Sequence, residues 1–176
     1  MTELKTSNMQ SKTKDLVLSA LLIALVFITT QINFKLPISI NGGLVHLGNT
    51  MLFMSAIVFG KKKGAIAGAF GMGLFDILSG WAAWAPFTFI IRGVMGYIIG
   101  YVANSNDRKG NSTTWNLIGI IIAGIIMIAG YYIAEIIITG NYIAPITSIP
   151  GNIIQIVFGA LFGLPLVKAL KKTNMF

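Results

Sequence analysis

Six apolar stretches, at about 14–33, 46–60, 64–80, 84–103, 113–138 and 148–169, alternate with polar or turn-forming breaks along the chain. Crossing a hydrocarbon core of ~30 Å takes about 20 helical residues. The pattern therefore predicts an all-α integral membrane protein, a six-transmembrane-helix bundle in one domain covering residues 1–176. Residues 1–13 are polar and are expected to form a cytoplasmic tail ahead of the first span. The second and third stretches are short, so they cross only with support from neighbouring helices or stop below the far surface. The breaks are well marked. Asn33 to Gly43, with Pro37 and an Asn41-Gly42-Gly43 turn, is a loop, and Lys61-Lys62-Lys63 is a tight basic turn. Gly80 to Pro86 carries Trp81, Trp84 and a proline suited to a helix start, as an interfacial bend would. Asn104 to Thr113 is polar, and Thr139 to Pro150 holds Gly140, Asn141, Pro145 and Pro150.

Charge sharpens this picture by giving the bundle a direction. Of 13 basic residues, all but Lys35 and Arg92 fall in the N-terminal tail, the 61–63 turn, the 104–113 break and the C-terminal end. The positive-inside rule then places both termini in the cytoplasm, which an even number of spans requires. The formal charge of +8 is a membrane-flanking pattern, and no nucleic-acid partner is implied. Composition agrees, with 55% hydrophobic residues, 10% charged residues and a mean hydropathy of +0.80. The first apolar run is followed by Thr29-Thr30-Gln31-Ile32-Asn33 without a small-residue cleavage pattern, so it is expected to be a retained span of a multi-pass protein in a cell membrane. Cysteine is absent, which removes a disulfide framework, a thiol nucleophile and thiolate metal ligation.

Glycine recurs at Gly64, Gly68, Gly71 and Gly73 beside Ala65, Ala67 and Ala69, a spacing that lets helices pack closely in lipid. Against this apolar background the polar positions stand out, because a charge at membrane depth costs at least a few kcal/mol. Asp76, Arg92 and Glu135 are the charged ones, all placed at or above the midplane on the external side. Uncharged partners follow the same bias, namely His46, Asn49, Thr88, Tyr131 and the i, i+3 pair Asn152 and Gln155. The inner halves are nearly free of polar groups, which excludes a channel and fits an outward-opening pocket closed below. Trp84, Phe87, Tyr131 and Tyr132 would supply flat walls for an aromatic solute. Bland alternatives stand beside each reading. Asp76 and Arg92 can pair with each other as a structural bridge, Glu135 can be interfacial, and the tyrosines can be membrane-belt anchors. A metal role for His46 lacks a second histidine or cysteine, so no metal is expected.

No phosphate-binding loop, metalloprotease helix or nucleophile elbow occurs, so neither nucleotide hydrolysis nor an enzyme is indicated, and no catalytic residue is assigned. A binder without an engine implies a separate motor. The alternative is a self-sufficient proton-coupled secondary carrier relaying through Asp76 or Glu135. Helix 1 carries Ala20-Leu21-Leu22-Ile23-Ala24, two small residues four apart on which a partner helix can lie. That motif resembles the docking motif of the substrate-binding S components of energy-coupling factor (ECF) vitamin transporters. Leu47-Gly48-Asn49-Thr50, Phe59-Gly60-Lys61-Lys62-Lys63-Gly64-Ala65, Asp76-Ile77-Leu78-Ser79-Gly80-Trp81 and Ala85-Pro86-Phe87-Thr88-Phe89-Ile90-Ile91-Arg92-Gly93 look like the riboflavin-type group of that family, which also takes in hydroxymethylpyrimidine proteins. The family commonly has lysine where this chain has Arg92, a change that keeps charge but alters hydrogen-bond geometry. The resemblance implies a capture subunit for a vitamin, a transmembrane coupling protein, and two cytoplasmic ATPase subunits that consume ATP, with no cofactor on this chain itself. It also implies partner docking at Ala20 and Ala24. The several charged and amide groups favour a small hydroxymethylated heteroaromatic such as the thiamine pyrimidine precursor, then pyridoxine-type compounds, over riboflavin.

Overall fold

A computed structural model describes residues 2–35 and 44–173. Six α-helices form, α1 (Thr2–Gln31), α2 (Gly48–Phe59), α3 (Lys61–Leu78), α4 (Ala85–Asn104), α5 (Thr113–Thr139) and α6 (Ala144–Lys172), with one turn of 3₁₀ helix at Ser105–Asp107. Two short strands, β1 (Asn33–Lys35) and β2 (Leu44–His46), pair antiparallel between α1 and α2, with Phe34 opposite Val45.

Several boundaries depart from the sequence expectation, each for a local reason. Residues 1–13 were expected to be a tail, yet α1 starts at Thr2, because lysine, glutamate, glutamine and methionine there are good helix formers. The stretch expected to enter the membrane at 46 begins with strand β2, and α2 starts two residues later. The last helix starts at 144 and not 148. Asn141 Oδ1 accepts the Ile143 and Ala144 N–H groups at 2.8 and 3.1 Å, and Pro145 occupies the first turn, where it has no N–H bond to lose. Pro150, read as part of the break, lies inside α6. Pro37 and the Asn41-Gly42-Gly43 turn lie outside the described residues.

Among the described residues four helical segments are long and apolar enough to cross a membrane: Ser11–Gln31, Ala85–Asp107, Thr113–Thr139 and Ala144–Lys172. The 12 residues of α2 are apolar but shorter. The exterior is correspondingly oily, with Ile90 68%, Ile125 64% and Leu161 59% exposed, while Arg92 and Glu135 are 2% and 1% exposed. Apolar side chains outside and charged ones inside are the arrangement a lipid solvent selects.

Small residues bring the helices together. Gly60, at φ 86°, is the whole connection between α2 and α3 and folds α3 back beside α2. Farther along, Gly64 faces Ala56 of α2 and the backbone of Gly96 on α4, and a Cβ on Gly96 would run into the backbone of Gly64 and Ala65. Backbone cannot give way there. Gly96→Val is therefore expected to cost about 3 kcal/mol, read as a lowered thermal midpoint of the purified protein in detergent. Gly93→Ala, whose new methyl would sit 3.4 Å from Ala69, should leave the midpoint nearly unchanged. Equal effects of the two would refute close α3–α4 packing as the cause.

Candidate functional site

The connections place the C-terminal ends of α1, α3 and α5 and the N-terminal ends of α2, α4 and α6 at one end of the bundle. Lys61–Lys63, Arg108 and Lys171–Lys172 lie at the opposite helix ends. The polar side chains singled out in the sequence gather at the first end.

Arg92, two turns into α4, is the centre of that cluster. Its Nη1 donates to Asn49 Oδ1 of α2 at 2.7 Å and to the Met127 thioether of α5 at 3.2 Å. Its Nε donates to the Tyr131 hydroxyl at 3.0 Å, and its Nη2 donates to Gln155 Oε1 of α6 at 3.0 Å. The Tyr131 and Thr88 hydroxyls are 3.0 Å apart, and the guanidinium also stands 5.1 Å from the Tyr131 ring centroid. A guanidinium carries five N–H donors, and neutral acceptors from three other helices take most of them. These bonds run to amide, hydroxyl and thioether groups, so a structural bridge to Asp76 is not what holds Arg92. Asp76 lies near enough to feel its field and faces Thr88.

Helix ends supply the remaining wall. At the end of α3, Gly80 takes φ 85° and the Trp81 N–H donates to the Asp76 carbonyl at 2.9 Å, a left-handed helix stop that folds Trp81 back beside Asp76. Trp84 then begins α4 and packs 6.3 Å from Tyr131, centroid to centroid. Before α2, the His46 Nδ1 accepts the Gly48 N–H at 3.2 Å. That bond assigns the proton of the neutral ring to Nε2, leaving it as a donor. On α6, Gly159 lies against Asn49 and Phe53, which lets α6 approach α2 and sets Gln155 level with Arg92.

Together these residues enclose a cavity of about 90 Å³, lined by Leu44, His46, Asp76, Trp81, Trp84, Thr88, Arg92, Tyr131, Glu135, Ser148, Asn152 and Gln155. Of the ten site residues expected from sequence, nine line it. Asn49 stands behind the wall, fully buried, and orients Arg92. Phe87 packs against the apolar core and the Tyr132 hydroxyl donates to the Tyr142 carbonyl at 3.3 Å, so neither is part of the wall. Trp81, Leu44 and Ser148 were not expected, since they lie in or at the edges of segments that read as turn or loop. For Trp81 a signal was present, the Ser79-Gly80 helix stop directly after Asp76. Ala20 and Ala24 lie on the exposed face of α1, far along the chain from this cluster.

A membrane bundle with a polar pocket at one end is the architecture of a solute-binding membrane subunit. The chain belongs to the ECF-type riboflavin transporter S component family, whose model matches residues 10–172. It is thus a substrate-binding subunit of a vitamin transporter and not an enzyme. It is 31% identical over 147 residues to an uncharacterized protein of Pyrococcus woesei, covering 84% of this chain and 95% of that one. It is 26% identical over 163 residues to the thiamine precursor transporter HmpT of Lactococcus lactis subsp. cremoris, covering 92% and 90%. Its fold matches a solved S component of a bacterial ECF transporter with a TM-score of 0.70 at 21% identity, over 94% of this chain and 99% of that one.

Asn49 offers a direct check on the Arg92 network. Asn49→Leu removes an acceptor from a buried guanidinium and is expected to destabilise the protein by about 3 kcal/mol, measured by thermal unfolding in detergent. Asn152→Ala, at a half-buried position on the cavity wall, should change stability by only about 0.5 kcal/mol.

Proposed function

We propose that this subunit captures a single-ring heteroaromatic vitamin precursor, with hydroxymethylpyrimidine as the best candidate, and passes it inward through a separate ATP-driven module. The observation that carries this reading is the cavity itself, whose lining combines one buried guanidinium, Arg92, with two carboxylates, Asp76 and Glu135, and two indoles. An aminopyrimidine has amino hydrogens for carboxylates, ring nitrogens for Arg92 or His46 to donate to, and a flat face for Trp81 and Trp84. A flavin would present carbonyl oxygens to carboxylates, which when ionised only accept. The HmpT relative supports the same choice.

In the membrane, all six helices would span or lean on spanning neighbours, with the basic ends and both termini cytoplasmic and the cavity facing outward. Ala20 and Ala24 would then lie on the inner half of α1. Their exposed face would receive the transmembrane coupling protein, which with two cytoplasmic ATPases supplies the drive.

Tryptophan fluorescence of the purified protein tests the ligand. Hydroxymethylpyrimidine should quench Trp81 and Trp84 at a concentration at least about a hundredfold below riboflavin, and Asp76→Asn or Glu135→Gln should each weaken binding about tenfold or more. Tighter riboflavin binding, or unchanged affinity in both variants, overturns the assignment.

Docking is tested separately. Replacing Ala20 and Ala24 by leucine should abolish uptake in cells while solute binding persists, because the variant residues touch only the exposed helix face. Uptake by the purified subunit alone in liposomes under a proton gradient would overturn the need for a motor.

A further inference from the structure

Gln155 reaches in two directions at once. Its Oε1 accepts from Arg92 Nη2 at 3.0 Å, and its Nε2 donates to the Leu44 carbonyl at 2.5 Å. Chemistry dictates that orientation, because a guanidinium only donates and a backbone carbonyl only accepts, so a flipped amide satisfies neither. The partners are remote in sequence, 63 and 111 residues away, and the side chain between them is 4% exposed.

Leu44 begins β2, which pairs with β1 through three residue pairs. A two-stranded ribbon of that length does not hold itself in place. Every residue of β1 is exposed, and Lys35 reaches only as far as the Trp81 ring, 5.4 Å from its centroid. The ribbon is anchored at its α1 end by the Leu47 N–H donating to the Ile32 carbonyl at 3.1 Å. On the β2 edge, Val45 and His46 are buried in the bundle, and the Gln155 amide adds a hydrogen bond from the bundle interior to the half-buried end of the strand at Leu44. That edge matters, since Leu44 and His46 are cavity wall.

We infer that Gln155 is a positioning residue: it clamps the β1–β2 ribbon to the Arg92 guanidinium, so that the placement of Leu44 and His46 follows the placement of Arg92. Gln155 thereby acts through Leu44, in addition to facing the cavity. Any solute that draws on Arg92 pulls on the same chain of bonds, Arg92 to Gln155 to Leu44. The clamp rests on the observed geometry and holds for whichever solute the cavity takes.

Hydrogen exchange of the full-length protein in lipid nanodiscs, without solute, tests the clamp independently of ligand identity. Gln155→Glu keeps an oxygen acceptor for Arg92 but replaces the donor that faces the Leu44 carbonyl. Amides of residues 44–46 are expected to exchange about tenfold faster, while α4 and α5 keep their protection. Arg92→Lys gives a second reading. A lysine cannot bridge Asn49, Tyr131 and Gln155 together, so the 44–46 amides should again exchange faster although Arg92 donates no hydrogen bond to the ribbon. Wild-type exchange rates at 44–46 in either folded variant would overturn the proposal. In Gln155→Glu, an equal loss of protection in α4 and α5 would also overturn it, since that outcome marks general loosening.

Discussion

Removing a guanidinium from water costs several kcal/mol even after the protein relaxes around it, and Arg92 is 2% exposed in a bundle that is apolar on its outside. That cost is offset only if acceptors from other elements stand at hydrogen-bonding distance when the helices close. Asn49 on α2, Met127 and Tyr131 on α5 and Gln155 on α6 meet this condition. The requirement propagates outward from there. Four helices must bring polar groups to one level, which fixes their relative heights more tightly than lipid-facing leucine and isoleucine would. Close approach at that level needs small residues, and Gly68 against the Arg92 carbonyl and Gly159 against Asn49 provide it. The same guanidinium thus sets helix register and lines the cavity.

Much of this was legible in the chain because the lipid solvent makes polar residues conspicuous. Arg92, Asp76 and Glu135 stand out in apolar runs, and the i, i+3 and i, i+4 partners around them share their helix faces. Turn chemistry was harder to read. The β1–β2 ribbon is three residues per strand, too short for period-2 alternation to show, and its pairing depends on what packs behind it. Trp81 read as an interfacial anchor because its approach to Asp76 depends on the left-handed turn at Gly80, a backbone feature. Asn49 read as a ligand contact, and spacing alone could not reveal that its buried amide oxygen would accept from Arg92. Pro150 read as a break, although α6 carries it within two turns of a start capped by Asn141. Helix boundaries near prolines and caps are decided by a few hydrogen bonds that hydropathy does not register.

The two ends of the bundle violate helix electrostatics in opposite ways. Lys61, Lys62 and Lys63 occupy the first turn of α3, where the partial positive charge of the helix opposes them. Asp76 lies in its last turn, and Glu135 lies a turn from the end of α5, where the partial negative charge opposes carboxylates, and neither last turn holds a basic residue. Each misplacement runs against local stability by about 0.3–1 kcal/mol where exposed, and by more where buried. For the lysines, the proposed cytoplasmic placement of that end gives a reason outside the helix. For Asp76 the available compensation inside the protein is the field of Arg92 and the hydroxyl of Thr88. A solute with amino hydrogens would add to this at Asp76, whose own helix end holds no basic residue. On the proposed reading, that placement of Asp76 is a source of affinity, and the preference for a donor-rich ring follows from where α3 happens to end.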